Sequence, residues 1–177
     1  MRFFEGFLEK TPRLTIREAT LRDAAILAKK RSTPFVMRYN LYEPCEAAQI
    51  AKEIADYPHV LLENRTTGEV IGVISLRDDD FRYHIEAKEM AAWLAEEYAG
   101  QGLMSEAIPP VMDHIFKHNI ERISIRIFAE NKASIRLAEK LGFTREGYLA
   151  RAVKNKDGGV FDVVLYSLSK DDYLKTK

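Results

Sequence analysis

Apolar residues in this chain alternate in some stretches and recur at helical spacing in others, and the change of period divides it into elements. Leu14-Thr15-Ile16-Arg17-Glu18 alternates, as a half-buried strand does. Asp23 to Arg31 repeats at helical spacing and is introduced by the start signal Thr20-Leu21-Arg22-Asp23. Glu46 to Tyr57, following Pro44, predicts a second helix. Val60 to Asn64 and Val70 to Arg77 predict two strands joined by Arg65-Thr66-Thr67-Gly68-Glu69, whose glycine suits a hairpin turn. A charged turn, Asp78-Asp79-Asp80, leads to a short extended piece, Tyr83 to Glu86, and then to a strand ending Met90-Ala91-Ala92-Trp93-Leu94. Met104 to Lys117 predicts a helix, Arg122 to Ala129 a strand, and Asn131 onward a helix that Gly142 would cap. Phe143 to Tyr148 and Val160 to Leu168 supply the last strands. Strands in runs with crossover helices argue an α/β (α+β) fold, a mixed sheet flanked by helices. Pro109-Pro110 falls inside a predicted helix, where each proline removes a backbone bond, so a bend or a late regular start is expected there.

Composition narrows the class. The 177 residues suit one domain, 1–177, with no linker, repeat or low-complexity segment to divide it. Lys plus Arg and Asp plus Glu are both 27, so a broad nucleic-acid footprint, which rests on clustered cations, is not expected. No apolar run approaches the roughly 20 residues that span a bilayer. Met1-Arg2-Phe3-Phe4-Glu5-Gly6 is too short and too charged for a secretory signal. One cysteine, Cys45, excludes an internal disulfide and fits a reducing, cytoplasmic setting. Cys45 reads as structural or inert, because no histidine adjoins it to activate the thiol. His59, His84, His114 and His118 lack metal-ligand spacing, and no metal is expected; His114 and His118 share one helical face. Asp78-Asp79-Asp80 reads as a solvated turn, with attraction of a cationic substrate as its alternative.

The chemistry concentrates in Tyr98-Ala99-Gly100-Gln101-Gly102-Leu103-Met104-Ser105-Glu106-Ala107, between a predicted strand and a predicted helix. Two glycines let the backbone approach a ligand without Cβ interference. The first N–H groups of the next helix lack intrahelical partners, and its dipole favours negative charge beside them. A strand, a glycine turn and a helix start make an anion cradle, most often for phosphate. The dinucleotide pattern G-x-G-x-x-G fails at Ser105, and no Gly-Lys-Ser or Gly-Lys-Thr of a P-loop occurs.

A second segment, Asn131-Lys132-Ala133-Ser134-Ile135-Arg136-Leu137-Ala138-Glu139-Lys140-Leu141-Gly142-Phe143, follows the strand Arg122 to Ala129. Strand, Gly-x-Gly, helix, strand, Asn-x-x-Ser, helix and Leu-Gly-Phe in that order resemble the GNAT family of acetyl-CoA-dependent N-acetyltransferases. The resemblance runs from Arg13-Leu14-Thr15-Ile16-Arg17 through Phe161-Asp162-Val163-Val164-Leu165-Tyr166. Trp93-Leu94, Ser105-Glu106-Ala107, Asn131 with Ser134, and Leu141-Gly142-Phe143 resemble the RimJ/RimL-type branch, which acetylates ribosomal-protein N-termini.

The resemblance implies a mostly antiparallel, twisted sheet splayed between its fourth and fifth strands, here Glu89–Leu94 and Arg122–Ala129, with the pantetheine arm in the gap. It implies acetyl-CoA as cosubstrate, with pyrophosphate on the backbone of Gly100, Gln101, Gly102, Leu103, Met104 and Ser105. Trp93, Leu94 and Ala95 would lend backbone hydrogen bonds to the pantetheine, and an N–H near Leu94 would face the oxyanion. Ala138 stands where much of the family carries the tyrosine that protonates the leaving thiolate. In the RimL-like branch the serine of Asn-x-x-Ser is proposed for that role, which makes Ser134 the candidate acid and Asn131 its positioning neighbour. Both residues equally suit a helix cap. Glu89 lies on the strand where some members keep a catalytic glutamate; its alternative is a strand-edge charge in solvent. Ala99 and Met104 depart from the family signature, which begins with Arg or Gln and ends with Gly or Ala.

An N-terminal α-amine of a protein, such as a ribosomal protein, is the expected acceptor, attacked directly in a ternary complex. A small amine (polyamine, amino sugar or antibiotic) and a non-catalytic acyl-CoA-binding module are the alternatives. A homodimer is left open, and neither a membrane nor a nucleic acid is an expected partner.

Overall fold

The computed structural model describes residues 3–40 and 43–176, so Met1 and Arg2 of the N-terminal stretch read above lie outside it. The strand order is β1-β2-β3-β4-β5-β6-β8-β7, and the recorded pairs are antiparallel except β5 with β6. Contacts divide the chain into two compact units, each discontinuous in sequence: Met1–Arg77 with Ala91–Pro110, and Asp78–Met90 with Val111–Lys177.

In the first unit β1 (Leu8–Lys10), β2 (Leu14–Glu18), β3 (His59–Asn64) and β4 (Val70–Asp78) form a meander, to which the second half of β5 (Ala87–Leu94) belongs. Alternation on β2 sends Leu14 and Ile16 inward, both fully buried. Helix α1 (Ala24–Arg31) and α3 (Ala47–Asp56) cover one face, and Leu27, Ala28, Ile50, Ile54, Leu61, Val73 and Trp93 share one apolar cluster. Each large side chain buried there contributes about 1.5–3 kcal/mol. Trp93 is thus core, as its apolar surroundings require. A four-residue helix, α2 (Pro34–Met37), follows α1 and was not marked by any periodicity.

Gly72 on β4 has a specific reason to be glycine. A Cβ there would meet the Trp93 carbonyl oxygen and lie 2.7 Å from Leu94 Cδ2. The close approach also lets Ala95 N–H donate to the Ile71 carbonyl at 2.8 Å, which fastens the end of β5 to β4.

In the second unit β6 (Arg122–Phe128) pairs with β8 (Val160–Ser169), and β8 with β7 (Thr144–Lys154). Parallel pairing of β5 with β6 is confined to Ala87, Lys88 and Glu89 against Arg122, Ile123 and Ser124, and both strands run on past their last recorded pair. The resemblance numbers these strands fourth and fifth; they are fifth and sixth here, because the short β1 precedes them. Helix α5 (Lys132–Lys140) ends at Gly142, whose φ of 85° lets the Phe143 N–H return to the Ala138 carbonyl at 3.0 Å. A short α6 (Lys170–Lys175) docks through Tyr173, which stacks near Phe116 and donates to Asp113 Oδ1 at 2.9 Å.

Helix α4 (Leu103–Lys117) crosses from one unit to the other and is helical from Leu103, so the late start expected from Pro109-Pro110 does not occur. Tyr83 to Glu86 is not a strand; His84 sits at φ 59°, which breaks extension. β7 continues six residues beyond Tyr148, through an irregular register between Leu149 and Val153. The Asp78-Asp79-Asp80 turn is not wholly solvated. Asp78 pairs with Lys88, while Asp79 is buried, accepts the Phe81 N–H at 2.9 Å and faces Arg82 Nε at 3.6 Å.

Candidate active site

Within the first unit, Trp93, Leu94 and Ala95 lead through a short 3-10 turn, Glu96–Tyr98, into the glycine turn. Ala95 spends both backbone groups: its N–H goes to Ile71 and its carbonyl accepts from Tyr98 at 3.0 Å. Because strand N–H groups alternate in direction, the Leu94 N–H points away from β4. The 3-10 turn is anchored from outside, since Tyr98 donates its hydroxyl to Glu69 Oε2 at 2.7 Å and Lys30 Nζ reaches Glu69 Oε1 at 2.6 Å.

Gly100 and Gly102 occupy left-handed backbone at φ 73° and 76°, on either side of Gln101. Among the described residues the N–H groups of Gly100, Gln101 and Gly102 have no hydrogen-bond acceptor. A Cβ on Gly100 would project into open space. Successive outward N–H groups followed by the dipole of α4 form the concavity that suits a phosphate. Gly100, Gln101, Gly102, Leu103, Met104 and Ser105 are thereby brought together on one turn and one helix start. Gln101 secures the turn by donating Nε2 to the Glu97 carbonyl at 2.8 Å.

A clamp that the sequence reading missed sits beside the turn. Glu106, in the first turn of α4, accepts from Thr11 Oγ1 at 2.5 Å, from Arg13 N–H at 2.9 Å and from Arg13 Nε at 2.7 Å. Arg13 Nη1 then donates to the Gln101 carbonyl at 2.9 Å. Burial disfavours the charged form of Glu106, but these donors outweigh it and hold the carboxyl below its ordinary range. Both Arg13 and Glu106 lay inside the quoted motifs without a role; their separation of 93 residues leaves no local signal.

Within the second unit, Asn131 and Ser134 stand at the start of α5. Asn131 Oδ1 accepts from the Ser134 backbone N–H at 3.1 Å, so Asn131 is the cap. The Ser134 hydroxyl plays no part in capping and has no protein partner among the described residues. One turn on, Ala138 is buried at 2% exposure, and a tyrosine ring would not fit there without displacing its neighbours.

Glu89 lies on the first half of β5 and is not a free strand charge. Its Oε1 accepts from Arg126 Nε at 2.7 Å and its Oε2 from Arg126 Nη2. The paired carboxylate raises the guanidinium pKa further above its ordinary value. The same guanidinium lies over the Phe81 ring, 5.5 Å from its centroid. Arg122 and Arg82 both reach Glu146, so the carboxylates and guanidinia recorded around these strands are mutually engaged.

No group of His, Cys, Asp and Glu among the described residues suits a metal ion. Cys45 accepts from Arg31 Nε at 3.3 Å and its N–H donates to Ser32 Oγ at 3.0 Å, a packing role. Among the described residues no helix is long and apolar enough to cross a membrane.

Comparison with known proteins agrees with this geometry. The family described as Acetyltransferase (GNAT) domain matches residues 13–144. An uncharacterised N-acetyltransferase, p20, of Bacillus licheniformis is 32% identical over 174 residues, 92% of this chain and 96% of that protein. The structure of ribosomal-protein-S5-alanine acetyltransferase from Vibrio fischeri superposes with a TM-score of 0.83 at 20% identity, covering 94% of this chain and 98% of that one. Spermidine N-acetyltransferase from Vibrio cholerae, in complex with CoA and spermine, gives 0.80 at 24% identity, covering 93% and 99%.

Proposed function

Since the chain belongs to the GNAT acetyltransferase family, we propose that the amine it acetylates is the free α-amine at the N-terminus of a polypeptide. Acetyl-CoA is the cosubstrate and supplies a thioester whose carbonyl the amine attacks. The turn Gly100–Gly102 and the first N–H groups of α4 hold the pyrophosphate by main-chain donors and the helix dipole. The Leu94 N–H, directed away from β4, is the donor assigned to the oxyanion, a role that contributes roughly 3–4 kcal/mol when the site is dry. The unspent hydroxyl of Ser134 donates to the departing sulfur as the carbon–sulfur bond breaks, and Asn131 fixes the backbone from which it projects. The proton lost by the amine passes to water.

The pairing of Glu89 with Arg126 carries the choice of acceptor. Both oxygens of Glu89 are taken up by the Arg126 guanidinium, so this carboxylate is spent on a strand-to-strand pair. An α-amine of pKa about 8 is about one-tenth neutral at pH 7, whereas a lysine-like amine near ~10.4 is almost wholly charged. The first needs no strong base; the second does. The fold is shared with a ribosomal-protein acetyltransferase and with a spermidine acetyltransferase alike. A ribosomal protein as the bearer of that N-terminus is supported by the likeness of Trp93-Leu94, Ser105-Glu106-Ala107 and Asn131 with Ser134 to the RimJ/RimL-type branch. The single cysteine, packed against Arg31, supports a cytoplasmic setting.

Thiol release from acetyl-CoA is the test, measured with peptides carrying a free Ala or Ser N-terminus, the same peptides blocked at the α-amine but containing lysine, and spermidine. Turnover with the free N-termini alone is expected. Faster turnover with spermidine would replace this reading by a polyamine acetyltransferase, and none with any amine would leave an acyl-CoA-binding module.

A further inference from the structure

Resting on the reading of Gly100–Gly102 as the pyrophosphate turn, we infer that Arg13 is a positioning residue that presets this turn before any ligand arrives, and that Glu106 aims it. The peptide unit is planar and trans, so the Gly102 N–H points opposite to the Gln101 carbonyl. Arg13 Nη1 holds that carbonyl at 2.9 Å. The Gly102 N–H is thereby turned away from Arg13. On its Gly102 side, at φ 76°, that peptide has little to hold it otherwise, because glycine tolerates the flipped arrangement nearly as well. A flip would present a carbonyl oxygen where an N–H is needed, and an anion would be repelled.

The guanidinium is itself fixed. Its Nε and its own backbone N–H both go to Glu106, and the Thr11 hydroxyl bonds the same carboxylate. Arg13 Nη2 lies 3.8 Å from the position of a Cβ on Gly102, so the side chain lies along the turn and not merely near it. Glu106 makes no recorded bond to the turn's carbonyl groups other than through its own helical N–H to Gly102 at 3.2 Å. Its side chain can therefore influence the Gln101 peptide only by way of Arg13. The segment Ala99–Met104 carries no cation of its own, so a substitute from within the turn is lacking.

Two signatures follow. Losing the donor should weaken binding of ligands that contain the diphosphate and spare those that do not. Losing Glu106 should weaken binding through the same step, so the two losses should not add. Calorimetry of the intact chain with CoA and with pantetheine, which lacks the diphosphate, reads both, with thermal melting alongside. Arg13→Gln is expected to weaken CoA about tenfold, the worth of one charge-assisted hydrogen bond, with pantetheine unchanged. Glu106→Gln is expected to weaken CoA several-fold, and the double variant no more than Arg13→Gln alone. Arg13→Lys, which keeps the charge and a donor, serves if Arg13→Gln melts below the assay temperature, and should recover part of the affinity. In turnover, KM for acetyl-CoA should rise while kcat at saturation stays. Unchanged CoA affinity in folded Arg13→Gln, or additive losses in the double variant, would overturn the positioning role and leave Arg13 a strut. Wild-type protein that binds pantetheine as tightly as CoA would overturn the cradle itself.

Discussion

Glu89 grips Arg126 with both carboxylate oxygens, one of them 2.7 Å from the guanidinium Nε. The fork geometry is that of a bidentate pair, which costs side-chain freedom and returns it as fixed orientation. A residue that sequence comparison would nominate as a base is here one half of a strand-to-strand tie between β5 and β6.

Glu89→Gln should accordingly lower turnover on a free N-terminal peptide by less than about tenfold, or roughly 1.4 kcal/mol in barrier. Steady-state kinetics at saturating acetyl-CoA measures it. A loss of roughly 10²-fold or more, the size expected for removal of a general base, would make Glu89 that base.

Ser134→Ala should reduce kcat by roughly 10²–10⁴ if the hydroxyl protonates the leaving sulfur. Acetyl-CoA affinity and melting temperature should hardly move, because the cap on α5 is the side chain of Asn131 and not that of Ser134. Asn131→Ala shows the other face of the arrangement, costing about 1 kcal/mol of stability. Wild-type turnover in Ser134→Ala would remove the serine from the mechanism.

Gly72→Ala should destabilise by about 1–3 kcal/mol, since the methyl meets main chain at Trp93 and Leu94 and neither can rotate away. Urea unfolding is the measurement. The folded fraction should also bind acetyl-CoA less well, because the displaced residues are those that end β5.

Acid sensitivity should be traceable in part to Asp23. Burial alone would raise its pKa, but Arg17, the Thr20 N–H and the Thr20 hydroxyl outweigh burial and hold it below 3.8. A folded pKa below the unfolded one contributes stability above about pH 4 that is lost as pH falls toward the folded value. Asp23→Asn should flatten the acid limb of the stability curve below pH 4 while lowering stability at neutral pH. An unchanged acid limb would assign the sensitivity elsewhere.

Much of the architecture was legible because its signals are local. Leu14 and Ile16 alternate, Asn131 caps, and Gly142 ends a helix, each within a few residues of the element it defines. β1 was not legible, since its three residues are all exposed and carry no alternation. The outer half of β7 escaped for the same reason: its positions are almost all exposed, so burial imposes no pattern. Tyr83 to Glu86 misled because Tyr83 and Ile85 look like the inward face of a strand, yet both are exposed. In the site, the glycine turn and the Asn-x-x-Ser start could be read directly. The Arg13–Glu106 clamp and the Glu89–Arg126 pair could not, because each joins charges that only the fold brings together.

Pro109 and Pro110 have a consequence for how the front of α4 stays ordered. Lacking N–H groups, they cannot donate to the carbonyls of Ser105 and Glu106, two of the rungs that would tie the first turn to the rest of the helix. Helix propagation is cooperative through those rungs, so order in Val111–Lys117 is transmitted only weakly to Leu103–Glu106. The first turn is held from its side instead, by Thr11 and Arg13 through Glu106. Fraying at this end is then governed by a strand connection far away in sequence: loosen the β1–β2 turn, and amides at the helix start should exchange with solvent while those past the prolines remain protected.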